Sequence, residues 1–81
     1  MARERGRDEI LETIVRYSKV SREELMAAES IDDVMQPMAV IEVVFELEEK
    51  YGMEIDDNDV LAIVSVEDLI LCVLEQLDIA A

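Results

Sequence analysis

Hydrophobic residues recur at helical spacing in three stretches of the chain, and this pattern predicts three longer helices. The first is predicted over residues 8–20 and the second over residues 37–51. Ser65 and Asp68 stand in the relation of a helix cap and its third-position acid, so they are expected to open the third helix. The apolar residues of that helix follow at i, i+3, i+4, i+7, i+8 and i+11, which places them on one core-facing side: Val66, Leu69, Ile70, Val73, Leu74 and Leu77.

The middle helix has the clearest predicted boundaries. Pro37 suits a first helical position because it has no N–H group to leave unpaired. Gly52 suits the left-handed residue that follows a helix end. Two faces are predicted for this helix. The expected core stripe consists of Met38, Ile41, Val44, Phe45 and Tyr51, and the expected acidic face of Glu42, Glu46 and Glu49.

Capping residues predict the shorter elements. Ser21 and Glu24 form a Ser-x-x-Glu capping box, which opens a short helical turn. Asp56 or Asp57 is expected to cap a short helix over residues 58–62. Residues 27–36 show no sustained period and are predicted to form a long ordered loop. Three apolar residues of that loop are expected to cover the core: Ile31, Val34 and Met35.

The net charge of the chain bears mainly on which partners it can bind. The 81 residues include 21 acidic and 7 basic ones, giving a formal net charge of −14. A chain of this length encloses one core, so we expect a single domain over residues 8–81. Residues 1–7 carry three arginines against one glutamate and are predicted to form a disordered basic arm. The acidic surface repels nucleic acids and anionic membranes, so we expect a monomer that binds basic proteins.

The residue types limit the possible chemistry. The chain has no histidine and one cysteine, Cys72, so neither a usual zinc site nor nucleophile-histidine catalysis is available. The aspartates of residues 56–59 invite comparison with a calcium-binding loop. Whichever aspartate is taken as the first position, no glycine stands at the sixth position, where such a loop requires one. We therefore expect no metal site and no enzymatic activity. Cys72 is expected to be a partly buried small hydrophobic residue. The lone cysteine, and the lack of a membrane-length apolar stretch or a secretory signal, predict a cytoplasmic protein.

Two stretches resemble the acyl carrier protein family: residues 42–55, reading EVVFELEEKYGMEI, and residues 63–71, reading IVSVEDLIL. They are similar to the end of the family's acidic helix and to the start of its last helix, and the resemblance extends over nearly the whole chain. It implies an all-α, four-helix bundle of the acyl carrier protein type. Such a bundle has three longer helices, one short helix, and a long loop between the first two.

The chain departs from the family at the position that carries the family's chemistry. In the family, a D-S-L triplet opens the acidic helix, and its serine is esterified by phosphopantetheine. Here the triplet reads Gln36-Pro37-Met38, so Pro37 occupies the attachment position and offers no hydroxyl. The acidic residues that flank the family's serine are replaced by Gln36 and Ala39. The resemblance therefore implies that no cofactor is bound.

The leading hypothesis is a non-catalytic, carrier-like binding module. The partner would be a basic surface of an enzyme or regulator, in fatty-acid, polyketide or related acyl metabolism. The candidate partner-binding residues combine acidic positions matched by the resemblance with apolar neighbours: Met38, Ile41, Glu42, Glu46, Glu48 and Glu49. A charged rim of this kind speeds encounter and sets specificity, while apolar anchors supply affinity.

Two alternatives remain open from the sequence. The first is a working carrier that bears phosphopantetheine at another serine. Ser30, in the triplet Glu29-Ser30-Ile31, is the candidate, although it lies seven residues before the matched position. The second is an acidic interaction protein that mimics nucleic acid or assembles with itself, for which the net charge is the only support.

Overall fold

The computed structural model describes the backbone of residues 2–80 and the side chains of residues 6–77. It is all-helical, and the described backbone contains no strand. The elements are α1 (Ala2–Ser18), α2 (Arg22–Ala27), one 3-10 turn (Ile31–Asp33), α3 (Pro37–Tyr51), α4 (Asp57–Leu61) and α5 (Val66–Ala80). The all-α prediction is confirmed. The described backbone has two short α-helices beside the three longer ones, because the turn after Ser21 completes a six-residue helix.

Local capping contacts fix most helix ends where the sequence predicted them. The Ser21 hydroxyl accepts the backbone N–H of Glu24 at 3.1 Å. Asp56 caps α4 by accepting the N–H of Asn58 at 2.8 Å. At the start of α5, the caps are reciprocal: the N–H of Asp68 donates to the Ser65 hydroxyl, and the N–H of Ser65 donates to the Asp68 carboxylate, both at 3.0 Å. These contacts satisfy backbone donors that a helix start otherwise leaves unpaired.

The limits of α3 also agree with the prediction. Pro37 is its first residue, preceded by Gln36 at the N-cap position. Gly52 follows its last residue in the left-handed conformation, with φ of 62°, and donates its N–H to the carbonyl of Glu48. Pro37 therefore stands at the head of the glutamate-rich helix, as the sequence register required.

The first helix begins earlier than predicted. It starts at Ala2 rather than Asp8, so residues 2–7 are helical where the sequence predicted a disordered arm; Met1 lies outside the described residues. Near this end of α1 lies a contact that the sequence does not reveal. Arg7 forms a two-point ion pair with Glu67 on α5, one bond measuring 2.6 Å. The guanidinium lowers the pKa of the Glu67 carboxyl.

The core lies where α1 packs against α3 and α5. The stripe predicted for α5 is confirmed from Val66 through Leu74, and Leu77 is partly buried. The long loop also covers the core as predicted. Ile31 and Met35 are buried, Val34 is partly buried, and the N–H of Ile31 donates to the carbonyl of Val64 at 2.8 Å. That bond fastens the loop to the turn between α4 and α5.

The core stripe predicted for α3 is largely wrong. Four residues at i, i+3, i+4 and i+7 are buried instead: Val40, Val43, Val44 and Leu47. Met38, Ile41 and Phe45 are exposed, and Tyr51 is half-buried, so Val44 is the one fully buried residue of the predicted set. Apolar residues surround most of the first turns of α3, so helical periodicity alone allowed two candidate core faces. Packing against α1 selects the valine-rich one.

Within the described residues, no helix has the length and apolar character that a membrane crossing requires.

Candidate partner-binding surface

The solvent side of α3 presents an unusual row of apolar side chains. Met38, Ile41 and Phe45 stand at i, i+3 and i+7, and their exposed fractions are 64%, 38% and 63%. Glu42 and Glu49, at i+4 and i+11, are exposed on the same side. We call these five residues the outer face of α3. Clustered apolar exposure rimmed by charge is typical of a protein interaction site.

Two of the glutamates predicted to bind a partner are used within the molecule. Glu46 forms an ion pair with Arg16 at 2.9 Å and accepts the Tyr17 hydroxyl at 3.3 Å. These contacts join α3 to the end of α1. Partial burial, followed by the charge of Glu46, raises the pKa of Tyr17. Glu46 therefore faces α1 rather than the outer face.

Glu48 has a structural contact as well. Its carboxylate accepts the backbone N–H of Ile55 at 2.8 Å and is partly buried. This bond holds the extended connector between Gly52 and α4 against the end of α3. Of the four predicted glutamates, Glu42 and Glu49 are the two that make no ion pair or side-chain hydrogen bond with any residue of the described range 6–77. The acidic part of the outer face is therefore smaller than the sequence suggested.

The sequence prediction assigned Met38, Ile41 and Phe45 to the core stripe, and Phe45 is the one of the three that was not also named as a partner-binding candidate. A signal for the correct assignment was present in the sequence. The spacing of Val40, Val43, Val44 and Leu47 is a complete helical stripe of branched aliphatic residues, and choosing it leaves Phe45 facing outward.

The start of α3 borders an open cleft of about 820 Å³. Met35, Met38 and Val34 supply apolar walls. The charged residues of the lining are of both signs: Arg16 and Lys19 at the end of α1 and just after it, and Asp32, Asp33 and Glu42. Pro37 is exposed beside this cleft. Its ring closes on the backbone nitrogen, so this exposed helix tip has no hydroxyl to accept a phosphoryl group. The cleft could not be predicted from the sequence, because its walls come from two segments, residues 16–19 and residues 32–42, that are separated along the chain.

Ser30 occupies a different environment from the head of α3. It caps the 3-10 turn, and its hydroxyl accepts the N–H of Asp32 at 3.3 Å. The residue is partly buried. Its hydroxyl is therefore engaged in local structure within the loop.

Cys72 lies on α5 and is partly buried, as predicted. Burial raises the pKa of its thiol, and the nearby carboxylates of Asp59 and Glu75 raise it further. The protonated thiol is therefore the form present near neutral pH, so Cys72 lacks the thiolate character of a reactive cysteine.

No protein-family model matches the chain, and no curated protein matches it either. The likeness to acyl carrier proteins accordingly stays a prediction from the residues quoted above.

Proposed function

We propose that this protein is a carrier-like binding module that docks on the basic surface of a partner enzyme or regulator through the outer face of α3, without carrying phosphopantetheine. The observation that carries the proposal is the exposure of Met38, Ile41 and Phe45 in one row beside two exposed glutamates, Glu42 and Glu49. Fully burying side chains of this size contributes about 1.5–3 kcal/mol each. Because these side chains are already partly buried in the free protein, the three anchors supply only part of the free energy of a complex, and surrounding contacts must offset the rest of the cost of association.

The rigid setting of the row supports this function. The opposite side of α3 is locked into the core by Val40, Val43 and Leu47. Glu46 and Glu48 fix the helix to α1 and to the connector. The outer face is thus presented on a preorganised helix, which lowers the entropy cost of binding. Glu42 and Glu49 would steer a basic partner and fix its orientation.

The position of Pro37 supports the absence of an attached arm. It stands at the tip of α3, where the acyl carrier resemblance puts the modified serine, and proline has no side-chain hydroxyl. Ser30 is the alternative acceptor, but its hydroxyl caps the 3-10 turn and its side chain is partly buried. The proposal includes a partner from acyl metabolism and a cytoplasmic location. Those two elements come from the resemblance and from the single cysteine.

The absence of modification is tested by intact mass. The purified protein is incubated with coenzyme A and a phosphopantetheinyl transferase of broad specificity. We expect no mass increase. The matched control replaces Gln36→Asp, Pro37→Ser and Ala39→Asp together, and this variant is expected to gain one phosphopantetheine group. A mass gain by the unaltered protein contradicts the proposal. If the control variant is not modified, the alignment that puts Pro37 at the attachment position is wrong.

The docking face is tested by a matched pair of methionine substitutions. Met38 lies on the outer face of α3, and Met26, on α2, is 51% exposed away from it. Partner enzymes from the same genome are tested by binding to immobilised protein. Met38→Ala is expected to weaken binding about tenfold or more, while Met26→Ala leaves it unchanged. If the two substitutions had equal effects on binding, the outer face of α3 would not be the site that contacts the partner.

A further inference from the structure

A second cluster of exposed apolar residues belongs to the end of α4, the turn after it and α5. With the exception of Met26, each exposed large hydrophobic residue in the range 6–77 belongs either to the outer face of α3 or to this cluster. Leu61, Val64 and Leu71 form the cluster, with exposed fractions of 82%, 63% and 40%. Leu71 also lines a cleft of about 260 Å³ between α4 and α5.

We call this recess the α4–α5 cleft. Four of its lining residues, which we call its apolar floor, are Ala62, Ile63, Leu71 and Cys72. Leu61 and Val64 directly flank Ala62 and Ile63 in the chain, so exposed aliphatic groups continue from the floor onto the neighbouring surface. A single aliphatic side chain from another molecule fits a recess of this size. Its burial would also shield these neighbours from water.

The rim of the cleft carries one sign of charge. Asp59, Asp68 and Glu75 surround the floor, and no basic residue lines it. The Asp68 carboxylate is partly engaged within the molecule, because one of its oxygens accepts hydrogen bonds from the N–H groups of Val64 and Ser65. Asp59 and Glu75 form no ion pair with any described side chain. An apolar floor inside an acidic rim is complementary to an aliphatic side chain between basic ones.

We propose that the α4–α5 cleft binds a basic segment of a partner protein, in which an aliphatic side chain fills the floor and flanking arginine or lysine residues pair with Asp59 and Glu75. The acidic rim favours a basic partner over a second copy of this chain or an anionic ligand. A second copy of this chain would bring another −14 charge toward the same rim. Anionic ligands are disfavoured by the same field. The site shares no residue with the outer face of α3, so this inference does not depend on the function proposed above.

The experiment uses the full chain labelled with nitrogen-15 and three short synthetic peptides. The probe has a central leucine flanked by arginines. One comparison peptide replaces the leucine with glycine, and the other replaces the arginines with glutamates. We expect the probe to shift the amide resonances of Ala62, Ile63, Leu71 and Cys72. We also expect the glycine peptide to bind about tenfold more weakly, because the apolar anchor is lost. The glutamate peptide should give no shifts.

Matched variants separate this site from general attraction to an acidic protein. Asp59→Asn combined with Glu75→Gln is expected to weaken binding of the probe about tenfold. Glu42→Gln combined with Glu49→Gln removes the same charge from the outer face of α3 and should leave the affinity within about twofold. Leu71→Ala should weaken binding without changing the salt dependence. Thermal unfolding of each variant checks that the fold is retained.

Several results would overturn the proposal. They are an absence of shifts with the probe at millimolar concentration, shifts confined to the outer face of α3, equal affinity of the leucine and glycine peptides, and equal losses in the two charge variants. Shifts confined to the cleft, lost in the Asp59 and Glu75 variant, would establish the site whether or not the outer face of α3 binds a partner.

Discussion

Phe45 and Leu47 stand two positions apart in α3 and have opposite surroundings. Phe45 is 63% exposed, whereas Leu47 is completely buried against the core. An exposed aromatic residue loses little packing when it is truncated, but a buried leucine leaves a cavity. Substitutions at these two positions therefore separate an effect on the outer face of α3 from an effect on the stability of the fold.

We expect Leu47→Ala to lower the free energy of unfolding by about 2–5 kcal/mol. Phe45→Ala should change it by no more than about 0.5 kcal/mol. Urea denaturation followed by circular dichroism measures both values. If Phe45→Ala proved as destabilising as Leu47→Ala, the assignment of faces on α3 would be reversed, and the original sequence prediction would be right.

Tyr51 gives a second residue-scale test, because its hydroxyl donates to the Glu9 carboxylate at 2.8 Å. Burial, followed by this bond and the charge of Glu9, raises the pKa of Tyr51 to about 12. The folded-state pKa lies above the ordinary value, so the contribution to stability is complete below pH of about 10. It is lost as the pH rises through about 12, because the unfolded chain releases the proton first.

Ultraviolet titration of the tyrosines measures this shift directly. We expect Tyr51 to ionise at a pH well above the ordinary value, and Glu9→Gln to lower its pKa because the carboxylate charge is removed. Tyr17, whose pKa is raised chiefly by partial burial, should be little affected by Glu9→Gln. Ionisation of Tyr51 near pH of about 10 in the unaltered protein would contradict the contact between α1 and α3.

At the scale of elements, the sequence predicted helix ends better than helix faces. The ends depend on local contacts such as Ser65 with Asp68, and such pairs are visible within four residues of sequence. The faces depend on which neighbour covers an element. In α3, two apolar stripes were available, and only the packing of α1 decides between them. Periodicity correctly predicted the buried stripe of α5, although Leu71 lies outside that stripe and is exposed.

Long-range contacts explain the remaining differences. The pair of Arg7 with Glu67 joins residues 60 positions apart, and Arg16 with Glu46 joins residues 30 positions apart. Nothing in a single sequence indicates such pairings. The first pair joins the early part of α1 to α5, and the second engages Glu46 within the molecule. The start of α3 at Pro37 was predicted from the sequence, and so was an acidic face with Glu42 and Glu49, both of which are exposed. Met38 and Ile41 were named as partner-binding candidates but were also assigned to the core stripe, and the structure leaves them exposed.

The early start of α1 is tested by the chain's two glycines. Gly6 lies inside α1, and a Cβ there would meet Leu74 at an ordinary 3.5 Å. Gly6→Ala should therefore raise the free energy of unfolding by about 0.5–1 kcal/mol, because glycine costs more entropy in a helix. Gly52→Ala is the control. Gly52 has φ of 62° and no neighbour within 4 Å, so backbone strain alone should cost about 1–2 kcal/mol.

Chemical denaturation of the two variants gives the comparison. A gain for Gly6→Ala together with a loss for Gly52→Ala supports a helix that includes residues 2–7. If Gly6→Ala had no effect while Gly52→Ala was destabilising, residues 2–7 would behave as the disordered arm that the sequence predicted.

The surplus of negative charge dominates the electrostatics of the whole molecule. The described basic side chains are largely committed to ion pairs that hold α1 to its neighbours: Arg7 with Glu67, Arg16 with Glu46, Arg22 with Asp8, and Lys50 with Glu9. These pairs are mostly exposed and each contributes about 0–1 kcal/mol. They leave the net charge of −14 in place. The fold is therefore stabilised by its core while its surface charges repel one another.

The balance between these two effects predicts how stability depends on salt. The Debye length is about 30 Å at 0.01 M salt and about 8 Å at 0.15 M. The molecule measures 32 × 28 × 18 Å, so at low salt its charges interact across the whole molecule, and the surplus of acidic residues makes the net interaction repulsive. Raising sodium chloride over this range should raise the melting temperature, because screening relieves more repulsion than attraction. Glu42→Gln with Glu49→Gln should melt at a higher temperature in low salt and gain less from added salt. Melting curves at several salt concentrations measure both effects. A melting temperature that falls with salt would mean that the ion pairs of α1 outweigh the acidic repulsion, and the glutamates of the outer face would then impose no cost on the free protein.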